Sequence, residues 1–293
     1  MVTIGTNLQA LKRRMANAAL ACGRNPADIG LMAVSKTFGA ADVATAYAHG
    51  QIAFGENYVQ EAVEKIAALS ALASAPRVTS AKHEHGAAPG DARGPSAGVA
   101  SPTLTPDLSP RGREEAHGLL LPLGEGVGMR EGPLLGPLEW HFIGPIQSNK
   151  TGIIAGKFAW VHSIDRLKIA ERLSAARPAE LPPLQVCIQV NLGAETTKSG
   201  IVPGEALALA RAVAALPHLN LRGLMAIPPA SDDRALQRGY FAQLRRLKEE
   251  LVAAGIPLDT LSMGMSDDLE SAITEGATLV RVGTAIFGVR RKN

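Results

Sequence analysis

The chain has 293 residues, of which 46% are hydrophobic, enough to bury a large core and to exclude a disordered protein. Its net charge is only +3, and its 30 lysines and arginines are scattered rather than striped, so nothing points to nucleic acid. Two isolated cysteines, Cys22 and Cys187, exclude a disulfide framework and offer no metal spacing, so no metal site is expected.

The first fifteen residues lack an apolar segment leading to a small-residue cleavage site, and nowhere do eighteen apolar residues run together. A cytoplasmic protein without a membrane segment is expected. A helix is predicted over 8–21. Eight short apolar runs then follow, at 29–36, 52–56, 139–144, 158–164, 184–191, 221–227, 259–264 and 279–286. Runs such as Leu184-Gln-Val-Cys-Ile-Gln-Val190 are too apolar for a sheet with one wet face and suit parallel strands buried on both sides. Amphipathic helices are predicted between them at 40–49, 57–72, 166–176, 203–216, 232–254 and 267–275. Asp165, Ser231 and Ser266 are candidate N-caps, and Gly50, Gly255 and Gly276 stand where helices should stop. This is an α/β chain with the order of a single (β/α)8 TIM barrel spanning residues 1–293. A doubly wound open sheet is the alternative, but no G-x-G-x-x-G follows any of the strands.

Residues 76–137 break the rhythm. They hold nine of the 19 prolines and eleven of the 30 glycines, with little periodicity. A long, largely disordered inserted loop is expected there, on the N-terminal face of the barrel and away from any active site. His83, His85 and His117 within it lack metal-ligand spacing.

In a barrel the residues ending each strand share one mouth. Lys36 ends the first run, and an amine there either emerges into solvent or has a task, because ammonium groups are costly to bury. Asn57 ends the second, where capping of the next helix and ligand contact are both open; the third closes in Trp140-His-Phe-Ile-Gly144. For Asp165 and Ser266 capping is expected. Ser262-Met-Gly264 and Gly283-Thr284 place hydroxyls and small residues beside backbone N–H groups, where barrels commonly hold a phosphate after strands seven and eight. Arg281 either reaches the far end of such a ligand or makes an ion pair with Glu56 or Asp165.

Lysine plus phosphate site suggests pyridoxal 5'-phosphate (PLP). Its aldehyde condenses with a neutral amine, which partial desolvation of a lysine favours. An arginine rather than an aspartate facing the pyridine nitrogen disfavours protonation of the ring and weakens it as an electron sink.

Seven ordered motifs carry a resemblance: Ala33-Val-Ser-Lys-Thr37, Phe54-Gly-Glu-Asn-Tyr-Val-Gln-Glu61, Trp140-His-Phe-Ile-Gly144 with Gln147-Ser-Asn-Lys150, Val161-His-Ser-Ile-Asp165, Lys198-Ser-Gly200, Met263-Gly-Met-Ser-Asp-Asp268 and Arg281-Val-Gly-Thr-Ala-Ile-Phe-Gly288. Outside 76–137 the chain resembles the pyridoxal phosphate homeostasis proteins, a family whose fold is like the N-terminal barrel of alanine racemase without that enzyme's second β domain. The resemblance implies that Lys36 forms a Schiff base with PLP. It further implies that Ser262, Gly283 and Thr284 hold the phosphate, Arg281 faces the pyridine nitrogen and Asn57 lines the pocket. It also implies a role in vitamin B6 and amino-acid homeostasis, no established turnover and hence no catalytic residue, with PLP-dependent apoenzymes as candidate recipients. Phe38 stands where many bacterial relatives have a second lysine, and the insertion is longer than the usual link.

A PLP-dependent amino-acid racemase is the rival expectation. It needs acid–base groups on both faces of the reacting carbon, commonly a lysine and a tyrosine, and Tyr47, Tyr58 and Tyr240 all fall in predicted helices.

Overall fold

The computed structural model describes residues 3–74, 137–193 and 199–289. The insertion expected at 76–137 lies, apart from Pro137, outside the described residues. Helix α1 (Ile4–Ala21) starts earlier than its apolar pattern, because Thr3 and Thr6 form a capping box: the Thr6 N–H donates to the Thr3 hydroxyl at 3.2 Å and the Thr3 N–H to the Thr6 hydroxyl at 3.1 Å. Leu8, Leu11, Met15 and Ala19, at helical spacing, form its buried face.

Strands and helices then alternate: β1 (Gly30–Val34), α2 (Ala40–Ala48), β2 (Ala53–Glu56), α3 (Val59–Ser74), β3 (Glu139–Phe142), α4 (Thr151–Lys157), β4 (Trp160–Ile164), α5 (Leu167–Ala176), β5 (Leu184–Val190), α6 (Ala206–Ala214), β6 (Leu219–Ala226), α7 (Arg234–Ala253), β7 (Thr260–Ser262), α8 (Leu269–Thr274), β8 (Leu279–Val282) and α9 (Thr284–Phe287). Every strand pairs in parallel with its chain neighbours, and β8 returns to β1 with Gly30 opposite Leu279 and Ala33 opposite Val282, so the barrel closes and leaves no edge.

Successive strand residues face opposite sides of the sheet. Ala33, Phe54, Phe142, Val186, Ile188 and Val280 join the core between sheet and helices. The alternate positions, among them Met32, Gly55, His141, Cys187 and Arg281, fill the barrel. Gly55 leaves room for a neighbour there: a Cβ on it would stand 2.6 Å from Met32 Sδ, so the methionine would have to shift.

The expected order holds, with local corrections. Gly50, Gly255 and Gly276 do end helices, at φ of +85°, +89° and +98°. The capping predictions fail. Asp165 pairs with Arg166 instead, Oδ1 to Nη1 2.8 Å, and the N-cap of α5 is Arg166. The cap of α7 is Asp233, which accepts from the Ala235 N–H at 2.8 Å, while Ser231 accepts from the Asp233 N–H. Asp268, not Ser266, occupies the N-cap of α8. Strand eight stops at Val282, and the apolar residues beyond it form α9.

Helix α1 holds the segments that follow the last two strands, the loop and helix after β7 and helix α9 after β8. Asn7 Nδ2 donates to the Ile286 carbonyl at 2.8 Å, and Arg14 donates to the Ser266 carbonyl at 2.9 Å while pairing with Glu270.

Candidate functional site

Lys36 lies two residues beyond β1, half-buried, in a turn that places Thr37 at φ +70°. A β-branched residue in the left-handed region is unusual and costs on the order of 1–3 kcal/mol. Neighbouring groups hold that turn. The Thr37 N–H donates to Glu61 Oε1 at 2.5 Å, and the Ser35 hydroxyl donates to Glu56 Oε1 at 2.6 Å. Phe38 stacks on Phe287, the last residue of α9, with ring centroids 4.9 Å apart.

Because β1 pairs with β8, Lys36 and the pair Gly283-Thr284 leave adjacent strand ends. A Cβ on Gly283 would lie 3.0 Å from the Val34 carbonyl oxygen, so this close approach favours glycine. Thr284 opens α9, whose first N–H groups have no partner within the helix. Ser262, the last residue of β7, is fully buried, and its hydroxyl oxygen accepts from Arg281 Nη1 at 3.0 Å, which leaves the hydroxyl proton to donate elsewhere.

Arg281 makes no ion pair with Glu56 or Asp165, contrary to one of the two sequence expectations. Its guanidinium donates to the Ser262 carbonyl and, at 2.9 Å, to the Ala226 carbonyl, so it ties the ends of β6 and β7 to β8. Burial pulls its pKa down to about 10, against the opposing pull of Asp268 and Cys187. It stays charged at neutral pH.

Asn57 follows β2 directly. Helix α3 begins two residues later, and Asn57 Oδ1 is buried with no hydrogen-bond partner, which removes the capping alternative. An orphaned buried acceptor calls for a donor. Asn57 also lines a cavity of about 240 Å³ with Ile143, Pro145, Gln189, Asn191 and Ile227, all at or beyond strand ends on the same face. Gly144 closes over it, since a Cβ there would stand 2.1 Å from the Asn57 carbonyl oxygen, and the Ser163 hydroxyl holds the Gly144 carbonyl at 2.6 Å. A larger cavity, about 310 Å³, lies at the other end of the barrel beside α1, lined by Met15, Pro26 and Ile29 among others. Its Gln51 amide is already committed to the Leu31 and Ala53 carbonyls, and Lys12 is the one charged side chain in its lining.

All six candidate residues thus stand at the C-terminal ends of β1, β2, β7 and β8, and they fit PLP. The amine follows β1; a hydroxyl ends β7, and a close-packed glycine and the first N–H groups of α9 follow β8; the orphaned amide follows β2. Among the described residues no group of His, Cys, Asp and Glu has metal-ligand geometry.

Sequence reasoning missed a polar chain in the barrel interior. Glu139 Oε1 lies 2.8 Å from His141 Nε2, and His141 Nδ1 lies 2.9 Å from His162 Nε2. Glu139 is held below the usual carboxylate range, chiefly by its bond to His141, and as a carboxylate it can only accept. The network therefore assigns the Nε2 proton to both rings and leaves His162 Nδ1 as a buried, unpartnered lone pair. Trp160 stacks on both rings. The only sequence signal was a histidine at an inward-facing position in each of two neighbouring strands.

Residues 6–291 match the family model described as the alanine racemase N-terminal domain, so fold and site define a barrel of that class. A pyridoxal phosphate homeostasis protein of Pseudomonas aeruginosa is 47% identical, over 99% of this chain and 97% of that protein. Among solved structures, PipY of Synechococcus elongatus with PLP bound is 29% identical with a TM-score of 0.66, covering 98% of this chain and 100% of PipY. Alanine racemase of Corynebacterium glutamicum shares the fold at 16% identity and a TM-score of 0.55, covering 96% of this chain and 62% of the racemase. The chain belongs to the pyridoxal phosphate homeostasis protein family.

Proposed function

We infer that this protein binds pyridoxal 5'-phosphate at the strand mouth and holds it as a Schiff base on Lys36, serving PLP and amino-acid homeostasis without substrate turnover. The observation that carries this reading is the register of β1 against β8, Ala33 opposite Val282, which brings the segment that carries Lys36 and the segment Gly283-Thr284 out of neighbouring strand ends. With PLP bound, the Lys36 amine in its unprotonated form would be the nucleophile for the aldehyde, with water as the leaving group, while Ser262, Gly283 and Thr284 would hold the phosphate through hydroxyl and backbone donors. Asn57 lines the pocket, and its Oδ1 accepts a hydrogen bond there. Arg281, cationic at neutral pH and a donor only, would face the pyridine nitrogen and disfavour its protonation. When bound, PLP supplies an electrophilic carbon and an electron-accepting ring; with an arginine at that nitrogen the ring is a weak sink.

PLP-dependent apoenzymes are the recipients this reading implies. The cytoplasm as its place of work is supported by the unpaired thiols of Cys22 and Cys187. Among the described residues, no helix is long and apolar enough to cross a membrane.

Absorbance tests the reading: purified protein with PLP should show a visible or near-ultraviolet Schiff-base band. Borohydride reduction followed by peptide mass analysis should place the cofactor on Lys36. Recovery mainly on Lys150 or Lys198 overturns the assignment.

A further inference from the structure

Beside Lys36, on the helix side of β1, lies a buried charged cluster that the cofactor chemistry above does not use. Lys65, in the second turn of α3, is 5% exposed, and its ammonium spends all three donors: on the Ser35 carbonyl at 2.7 Å, on Glu56 Oε1 at 2.8 Å and on Glu61 Oε1 at 2.6 Å. Glu56 is fully buried, its pKa raised by that burial against the pull of Lys65, and its second oxygen has no partner. The same two carboxylates accept from the residues on either side of Lys36, Glu56 from the Ser35 hydroxyl and Glu61 from the Thr37 N–H. The cluster therefore converges on the backbone and side chains that bracket one residue.

Stability alone does not account for this. A buried ion pair rarely outperforms apolar packing of the same volume, because desolvation offsets the attraction. What such a cluster does supply is one fixed geometry, here for a turn whose central threonine sits at an unfavourable φ of +70°.

We propose that Lys65, Glu56 and Glu61 are positioning residues that hold the Ser35–Thr37 turn so that the Lys36 amine meets the cofactor aldehyde in a single reactive geometry. The proposal rests on the Schiff-base reading above and deepens it. Condensation depends on the approach of nitrogen to the carbonyl carbon, whereas the proposed phosphate and pyridine contacts come from β7 and β8, which the turn meets through the Phe38–Phe287 stack and not through the Lys65, Glu56 and Glu61 cluster. Loosening the turn should thus weaken covalent capture selectively.

The test compares two ligands on the full chain: PLP, and 4'-deoxypyridoxine phosphate, which keeps the phosphate and ring but lacks the aldehyde. Lys65→Met should lower PLP affinity and the rate of Schiff-base formation by about tenfold or more. Affinity for the aldehyde-free analogue should stay within about twofold of wild type. Should Lys65→Met fail to fold by circular dichroism, Glu61→Ala, at a partly exposed position, carries the same comparison. Thr37→Asn added to Glu61→Ala should restore capture, since asparagine tolerates the left-handed region. Equal loss for both ligands would reduce the cluster to a structural role and overturn the proposal, as would undiminished capture in the variants. Absence of a Schiff-base band in the wild-type protein would instead sink the proposed function itself.

Discussion

His141 Nδ1 and His162 Nε2 meet 2.9 Å apart inside the barrel, and with Glu139 they form a hydrogen-bonded chain through its packed interior. Burial lowers the pKa of both rings; His162, which also faces the charge of Arg281 and the ring of His141, is pushed well below the ordinary 6.5, while Glu139 pulls the other way on His141. Well above pH 6.5 the rings are neutral whether the chain is folded or not, and they add no pH dependence. As pH falls below that value, the unfolded chain takes up protons that the folded one refuses, so stability drops until the lowered folded values are reached. Melting temperature measured from pH 7.5 to 5 should fall. In His162→Gln the acid-side slope should be shallower, and an unchanged slope would show that the pair stays neutral for free.

Gly144→Ala should be strongly destabilising. Its Cβ would meet backbone, the Asn57 carbonyl at 2.1 Å, and backbone cannot step aside as a flexible side chain can. Denaturant unfolding should register a loss of roughly 2–4 kcal/mol. The folded fraction should also bind PLP more weakly, because the displaced segment carries Asn57.

Much of the fold is legible in the sequence, and the failures have physical causes. Strand β5 stands out because Leu184 to Val190 is apolar with turn residues on both sides. Helix α4 is missed because it has only seven residues, two of them glycine, too few for a period to show. The run beyond Val282 is read as strand because Ala285-Ile286-Phe287 is apolar, and a short apolar run does not reveal its own geometry. The six mouth residues emerge from position at strand ends. Lys65 and the His141–His162 pair do not, because their meaning depends on contacts across separate elements: Ser35 is 30 residues from Lys65, and the two histidines are 21 apart.

Arg281→Met should separate structure from cofactor electronics. The change strips donors from the buried Ser262 and Ala226 carbonyls, which should cost about 1–3 kcal/mol in denaturant unfolding. If Arg281 holds the pyridine nitrogen as proposed, the change also removes the cation there, and the absorbance band of bound PLP should shift and become pH-dependent. A stable variant with an unaltered spectrum would place Arg281 away from the ring.

Deleting 76–136 and bridging Ala75 to Pro137 with a short linker should leave PLP affinity unchanged. The described chain on either side ends at Ser74 of α3 and resumes before Glu139, whose N–H donates to the Ile52 carbonyl at the barrel end opposite Lys36. Loop length alters closure entropy only slowly. A large loss of affinity on titration would mean that the deleted residues contribute to the mouth.

Catalysis divides the carrier from the racemase. Racemisation needs a second acid–base group facing the lysine across the reacting carbon. Tyr47 and Tyr240 pack against the helical core, but Tyr58 is not within a helix as the sequence suggested: it follows Asn57 at the mouth, ahead of α3, and is 58% exposed. An exposed phenol without a fixed hydrogen-bond partner is poorly organised for proton transfer, and in the role proposed for it Arg281 would weaken the ring as an electron sink. The loaded protein should therefore not exchange the α-proton of alanine or other common amino acids at an enzymatic rate. Deuterium wash-in is the sensitive assay, because it detects proton abstraction even when configuration is retained. Robust exchange that requires Lys36 and disappears in Tyr58→Phe would make Tyr58 the missing acid–base group and the protein a racemase.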